Sequence, residues 1–295
     1  MIGAGLAGSL LALELVDREL AVTLIDAGAS ARATDLSYGL LPWTAASRWW
    51  QLQRRHGDLG LAQRWLQLGK AGLPLPAWQV NPRSWARGVA AGLGRAGVPQ
   101  LQQQLSGPAA LQPWLEAGPV VLACGAGCRS LAPQLDGRLR VSWAGVLELG
   151  ANVTRPWLGW RAGLAQLPER FARLGLERRA PQLQHEDWVV DAGLVPCGDR
   201  LLAGQISLIR PGLEAGLPPD DAVMEQRLRM ALAARWPPLA TAPGRYRQTP
   251  VSFSSDGEPL VGPCGRGLWV LAGFSGAFSQ IPTAARCLAD QLAAN

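Results

Sequence analysis

The sequence predicts an α/β protein in which a parallel sheet is interrupted by a second unit built on an antiparallel sheet. Three observations predict it. A complete G-x-G-x-x-G stands at Gly3, Gly5 and Gly8, followed by a helical pattern and a short apolar strand. A continuous apolar run, Val120 to Ala123, ends in Cys124-Gly125-Ala126-Gly127, as a buried parallel strand does where it approaches a ligand. Strand-like patterns then dominate from Val141 to Gln205, before helix and strand alternate again toward the C-terminus.

In the opening motif the first glycine permits a tight strand-to-helix turn. The second lets the backbone approach a diphosphate, and the third lets helix and strand pack closely. Leu6 and Ala7 fall in the first turn of the helix, where free N–H groups and the macrodipole favour an anion. Leu6, Leu10 and Leu13 recur at helical spacing as far as Val16. Ala21 to Ile25 reads as a short buried strand closed by Asp26, roughly twenty residues beyond the glycines, where a carboxylate takes ribose hydroxyls. An acidic residue there argues for a free 2′-hydroxyl, hence FAD or NAD rather than NADP. Only Met1 and Ile2 precede the first glycine, whereas the first strand of such a unit needs about five or six residues. The expectation is either an upstream start or a sheet short of one strand.

A polar loop, Ala27 to Tyr38, leads to Gly39-Leu40-Leu41-Pro42. Helical patterns follow over about 44–56 and 59–68, with Trp49, Trp50, Trp65 and Leu66 supplying their apolar faces, and another covers 85–95. Val141 to Leu149 and Glu186 to Val190 are expected to be extended, and Leu194 to Gln205 reads as a hairpin about Gly198-Asp199. Val223 to Trp236 is an amphipathic helix stopped by Pro237-Pro238. Asp256 to Gly262 is a turn leading to a short strand. Leu268 to Ala272 is a buried strand ending in Gly273-Phe274-Ser275-Gly276, and the closing helix runs from about Pro282, favourable in a first turn, to Leu292. Residues 1–45, 108–140 and 250–295 are assigned to the nucleotide-binding part. Residues 46–107 and 141–249 form a helical and antiparallel-sheet substrate part.

With 48% hydrophobic and 17% charged residues in 295, the chain is globular rather than disordered. The N-terminal apolar stretch lacks a basic leader region, and nothing approaches an uncharged run of about 20 apolar residues. The expectation is a cytoplasmic protein with no membrane partner. The net charge of +6 is almost all arginine, since Lys70 is the one lysine. The arginines are scattered, and the densest cluster, Arg54, Arg55 and His56, reads as a solvated helix face, so nucleic acid is not expected as a partner. Cys124 and Cys128 are spaced C-x3-C, but neither histidine, His56 or His185, lies near. The five cysteines therefore suggest no disulfide framework and no metal. The thirteen tryptophans read as core and interface filler.

These pieces, in this order, resemble the D-amino-acid oxidase superfamily of FAD-dependent oxidoreductases, which includes glycine oxidase and sarcosine oxidase. Gly3, Gly5, Gly8 and Asp26 match its fingerprint. Thr34 and Gly39-Leu40-Leu41 resemble its flavin-contacting loop, and Val120 to Ala126, with Cys124, Gly125 and Ala126 at its end, resembles the second FAD motif. Asp256-Gly257-x-Pro259 and Gly262 match a late D-G-x-P-x-x-G signature. Gly273 to Gly276 resembles the G-x-x-G loop beside the flavin ring. Ala277 and Phe278 follow it, leading to a helix whose N-terminus in that family faces the flavin pyrimidine.

The resemblance implies FAD as cofactor and oxidation of a C–N bond of a small amine or amino acid by hydride transfer to flavin N5. Oxygen or another acceptor would take the electrons. Such chemistry needs orientation and a dry pocket rather than a histidine-based acid and base. Members usually run longer, and between Gly97 and Gly118 a Gln-rich stretch, Gln100 to Gln104, stands where the family has an extra strand pair. Amino-acid-oxidising members usually carry an arginine five residues before the signature aspartate, to pair with a substrate carboxylate. Here that position is Val251. Arg247 and Tyr246 are the two candidate substrate-contacting residues. The rival expectations are a non-catalytic binding protein that keeps the fold, an NAD-dependent enzyme, and a related flavoenzyme acting on another substrate such as a modified tRNA base.

Overall fold

The structure, a computed structural model of the chain, describes all residues except 29–31, 71, 136, 151, 154–157, 159–162, 213–215 and 295. In chain order its elements are α1 Leu6–Val16, β1 Leu24–Asp26, β2 Leu40–Leu41, α2 Trp43–His56, β3 Leu61–Leu68, β4 Leu75–Val80, α3 Pro82–Arg95 and β5 Gln100–Gln102. Then come α4 Gln112–Ala117, β6 Val120–Leu122, α5 Cys128–Leu131, β7 Leu139–Gly150, β8 Ala165–Leu167 and α6 Ala172–Arg179. The rest is β9 Asp187–Cys197, β10 Arg200–Ile209, α7 Asp221–Ala233, β11 Arg245–Ser254, β12 Leu260–Gly265, β13 Leu268–Ala272 and α8 Ala277–Ala293.

Two sheets organise the molecule. In the first, β5 pairs in parallel with β1, and β6 pairs in parallel with β13, which pairs antiparallel with β12. Ile2 joins the two halves by parallel bridges to Ile25 and Leu122. Alternation along these strands buries both faces. Leu24, Val121 and Leu271 face a core shared with α1, α2, α3 and α8, while Ile25, Leu122 and Val270 face a second core under α5. Double-sided burial explains why the strands read as unbroken apolar runs. The second sheet has the order β11-β7-β10-β9-β8-β3-β4-β2 and is antiparallel apart from the β3–β8 pair. One face of it packs against α7 through Leu147, Leu194, Met224, Leu228 and Leu232. The opposite face, through Val146, Val195 and Leu202, meets Leu36 and Tyr38 of the loop before β2.

Two expected elements differ. The segment expected to be a helix over 59–68 is β3, paired with β4 from Leu61 opposite Val80 to Leu66 opposite Leu75. Gly57 and Gly60, both at positive φ, end α2 and leave only an eight-residue stretch, too short to outcompete a hairpin partner. The closing helix starts at Ala277 rather than near Pro282, with the proline inside it. The carbonyl that this proline leaves without an amide is supplied from outside the helix. α2 and α3, assigned to the substrate part, pack in one core with α1 and α8, and β5 is a strand of the parallel sheet.

Candidate functional site

The N-terminus of α1 is the centre of the first cluster. Gly3 adopts φ 101°, and a Cβ there would lie 2.7 Å from the Ala123 carbonyl oxygen and the Cys124 Cα, so only glycine lets the two loops meet. A Cβ on Gly8 would stand 1.8 Å from the Gly3 carbonyl oxygen. Sequence and structure thus agree on what these glycines do sterically: they bring the loop, α1 and the end of β6 together. Gly5 caps α1 with no side-chain hydrogen bond. Leu6 donates its N–H to Thr34 Oγ1 at 3.2 Å, while among the described residues no protein group accepts from Gly5, Ala7 or Gly8, leaving first-turn donors open to an anion. Cys124, Gly125 and Ala126 flank this turn, with Gly125 at φ 59°.

Asp26 lies at the end of β1. Its Oδ2 accepts from the Ala4 N–H at 2.8 Å, and its Oδ1 accepts from Gly28 N–H at 2.9 Å and from Arg32 at 2.8 Å. Arg32 also donates to the Ala4 carbonyl at 3.3 Å, so the pair clamps the glycine loop from below. Beside them is a cleft of about 350 Å³ lined by Asp26, Arg32, Asp35, Trp85 and Gln102. The Trp85 indole nitrogen is buried there without a hydrogen-bond partner. A buried donor left unpaired is costly, and a polar ligand in the cleft would satisfy it. Open first-turn amides, a strand-end carboxylate and an orphaned donor fit a dinucleotide.

The second cluster is built from Gly39, Leu40 and the loop Gly273–Gly276 with the start of α8. Buried Gln79 donates to the Tyr38 carbonyl at 2.9 Å, holding the chain just before Gly39. Phe274 and Phe278 are buried in the core that also takes Leu41, which places β2 beside the start of α8. The Gly273 carbonyl accepts from Ser254 N–H at 3.1 Å, and the Gly276 N–H donates to Gln280 at 3.1 Å. Ala277 is the first helical residue. Ser275 Oγ donates to Glu177 at 2.8 Å, and Arg173 donates both to Glu177 at 2.7 Å and to the Ser275 carbonyl at 2.8 Å. The α6 that carries them is capped by Asp191 of β9, whose carboxylate accepts from the Ala172 and Arg173 amides; burial pushes its pKa up.

The two candidate substrate residues are adjacent in β11 and so point to opposite faces. Tyr246 turns to the α7 side, where burial raises its phenol pKa and its hydroxyl donates to Gln248 at 3.3 Å. Arg247 turns to the face that meets the Leu36–Tyr38 loop and pairs with Glu148 at 3.1 Å. Glu148 also pairs with Arg200, which donates to the Asp35 carbonyl at 3.2 Å. Val251 shares the face of Arg247, opposite Ser142. Among the described residues no group of His, Cys, Asp or Glu is arranged to hold a metal. Sequence reasoning missed Arg32, Trp85, Arg173 and Glu177. A cation close behind a strand-end carboxylate is a usable signal for Arg32, whereas Glu177 meets Ser275 across 98 residues and leaves no local trace.

No protein-family model matches the chain, and no curated protein matches it in sequence. Solved structures do match. Glycine oxidase from Geobacillus kaustophilus superposes with a TM-score of 0.68 at 17% identity, over 99% of this chain and 93% of that one. Iminodiacetate oxidase from Chelativorans sp. BNC1 gives 0.66 at 13% identity, over 100% and 95%. A glycerol-3-phosphate dehydrogenase from Bacillus halodurans, complexed with FAD, gives 0.63 at 12% identity, over 99% and 63%. The chain therefore shares its fold with these oxidases and this dehydrogenase.

Proposed function

We propose that this chain is an FAD-dependent oxidoreductase that oxidises a C–N bond of a small amine or amino acid. The observation that carries the reading is the open helix N-terminus of α1 beside the Asp26–Arg32–Trp85 cleft, in a fold shared with oxidases of that class. The amides of Gly5, Ala7 and Gly8 would hold the diphosphate, Asp26 the ribose hydroxyls, and the Trp85 indole a polar atom deeper in the cleft. FAD, when bound, supplies the hydride acceptor. Leu40 and Phe274 would shield the ring site from water, and the positive end of α8 favours the negative charge that arises on reduction. Arg247 is the candidate for a substrate carboxylate, in exchange for Glu148, and Tyr246 is the lesser candidate. Oxygen or another acceptor closes the cycle.

A second reading, a binding protein that keeps the cofactor without turnover, is favoured by one observation. Valine stands at the usual arginine position, and Arg247 is already paired with Glu148. Both are tested by purifying the protein, recording its visible spectrum, releasing the chromophore with acid, and adding glycine, sarcosine or D-amino acids without oxygen. FAD bands that bleach support the oxidase, and bands that persist through a wide set of amines support the second reading. A folded, colourless protein that takes up no added FAD overturns both.

A further inference from the structure

The expectation that no membrane is touched rested on the lack of a spanning segment, and among the described residues no helix is long and apolar enough to cross a bilayer. Lying on one is a separate matter, and the surface bears on it. Of the thirteen large hydrophobic side chains exposed among the described residues, six fall between Trp43 and Leu75. Trp43 is 57% exposed, Trp65 51% and Leu73 82%, with Trp50, Leu68 and Leu75 beside them in sequence. The tryptophans among them form one surface. Trp78 meets Trp43 and Trp50 edge-on at 6.0 and 5.2 Å, and Trp65 lies opposite Pro76, whose carbonyl accepts from the Trp43 indole at 2.9 Å. Leu73 stands exposed at the end of the β3–β4 hairpin, while Leu68 and Leu75 alternate with Trp65 and Pro76 and lie on the opposite face.

α2 carries this surface on one flank and a cationic groove on the other. Ala46, Trp49 and Leu52 turn inward. Helical spacing then puts Trp43 and Trp50 on one outward flank and Arg48 and Arg55 on the other, with Arg54 between them and reaching the groove. A groove of about 610 Å³ along that second flank is lined by Arg18, Arg48, Arg54, Arg55 and Arg286, with Glu14 and Asp17 in its wall and Asp290 paired to Arg18. The Nε of Arg48 is buried there without a partner. From residue 43 to 80 the sole acid is Asp58, against four arginines and Lys70.

We propose that α2 and the β3–β4 hairpin form a docking face for an anionic phospholipid bilayer, with the tryptophans and Leu73 at the acyl boundary and the arginine groove on headgroup phosphates. Indole rings favour that boundary, with an apolar body and a polar edge. A helix with aromatic and arginine flanks lies flat in it, and anionic lipid adds attraction for each nearby cation. A second copy of the chain would set two cationic faces against each other. Single-stranded nucleic acid wants aromatic rings open for stacking, whereas Trp43, Trp50 and Trp78 occupy one another.

The test sediments the full chain with phosphatidylcholine vesicles, with or without phosphatidylglycerol. Binding is expected only with the anionic lipid, weakening with salt and accompanied by a blue shift of tryptophan emission. The combined Trp43→Ala, Trp50→Ala and Trp65→Ala variant should abolish it with the circular dichroism spectrum unchanged. Arg54→Glu, an exposed charge reversal that leaves the fold intact, should weaken it about tenfold. No binding of the folded protein to anionic vesicles overturns the proposal, as does binding indifferent to both variants. So does a concentration-dependent dimer that the tryptophan variant dissolves, or preferential capture by single-stranded DNA that the same variant abolishes.

Discussion

The indole N–H of Trp49 donates to the backbone carbonyl of Phe278 at 2.8 Å, and the two rings stack 5.9 Å apart. Phe278 stands four residues before Pro282, so its carbonyl is the one the proline deprives of an amide. A side chain of α2 thus completes the first turns of α8 and fixes the loop that precedes it. Trp49→Phe should cost about 1–3 kcal/mol by leaving that carbonyl buried and unpaired. In a Pro282→Ala background, where residue 282 regains an amide, the same change should cost about 1 kcal/mol less. Urea unfolding of the four proteins measures the difference.

Gly8→Ala places a methyl 1.8 Å from the Gly3 carbonyl oxygen and should both lower the melting temperature and abolish uptake of added FAD. Gly94→Ala in α3 is the control, because nothing lies within 4 Å of a Cβ there. It should raise stability by about 0.5–1 kcal/mol, as alanine does in an open helix. Thermal melts with and without FAD separate the two effects.

Ser275→Ala removes the hydroxyl that Glu177 accepts from and should destabilise by about 1 kcal/mol. Glu177→Leu breaks the Ser275 and Arg173 contacts together and leaves a partly buried guanidinium without its carboxylate, so its cost should be about 3–5 kcal/mol. The double variant should cost less than the two summed, because both lose one shared hydrogen bond. Chemical denaturation gives the numbers.

His56 lies 3.2 Å from the Asp17 carboxylate, without hydrogen-bonding geometry, and burial holds its pKa below the ordinary value despite that neighbour. The unfolded chain therefore takes up a proton at His56 before the folded one does as pH falls through about 6.5. Stability from this group is fully present above that pH and is lost as pH falls toward and through the lowered folded-state value. His56→Gln should flatten the pH dependence of the urea midpoint between about pH 7 and pH 5 relative to the parent.

How much of this was legible depends on where each cause lies. The turn at Gly3, Gly5 and Gly8 and the strand closed by Asp26 were readable because their causes are local: a steric need for glycine and an apolar run. The strand β3 was not, because its eight residues satisfy either period until β4 pairs with them. The start of α8 was hidden for the opposite reason, its missing donor arriving from Trp49, 229 residues away. Arg247 and Tyr246 could be named from scarcity and spacing, but only the covering of each face of the sheet tells which looks toward the Leu36–Tyr38 loop. Arg54, Arg55 and His56 read as a solvated helix face, yet Arg55 pairs with Asp17 and Glu14 of α1.

Asp191, Arg173, Glu177 and Ser275 form a continuous polar strap from the centre of β9, through α6, to the loop after β13. Its ends belong to different sheets. Swinging the sheets apart as rigid bodies would break either the Asp191 bonds to α6 or the two bonds from α6 to Ser275, so hinge opening is the expensive way to admit a ligand. Entry and exit should instead run through local rearrangement of short connecting segments, and the rate of ligand uptake should respond more to changes in those connections than to changes along the sheets themselves.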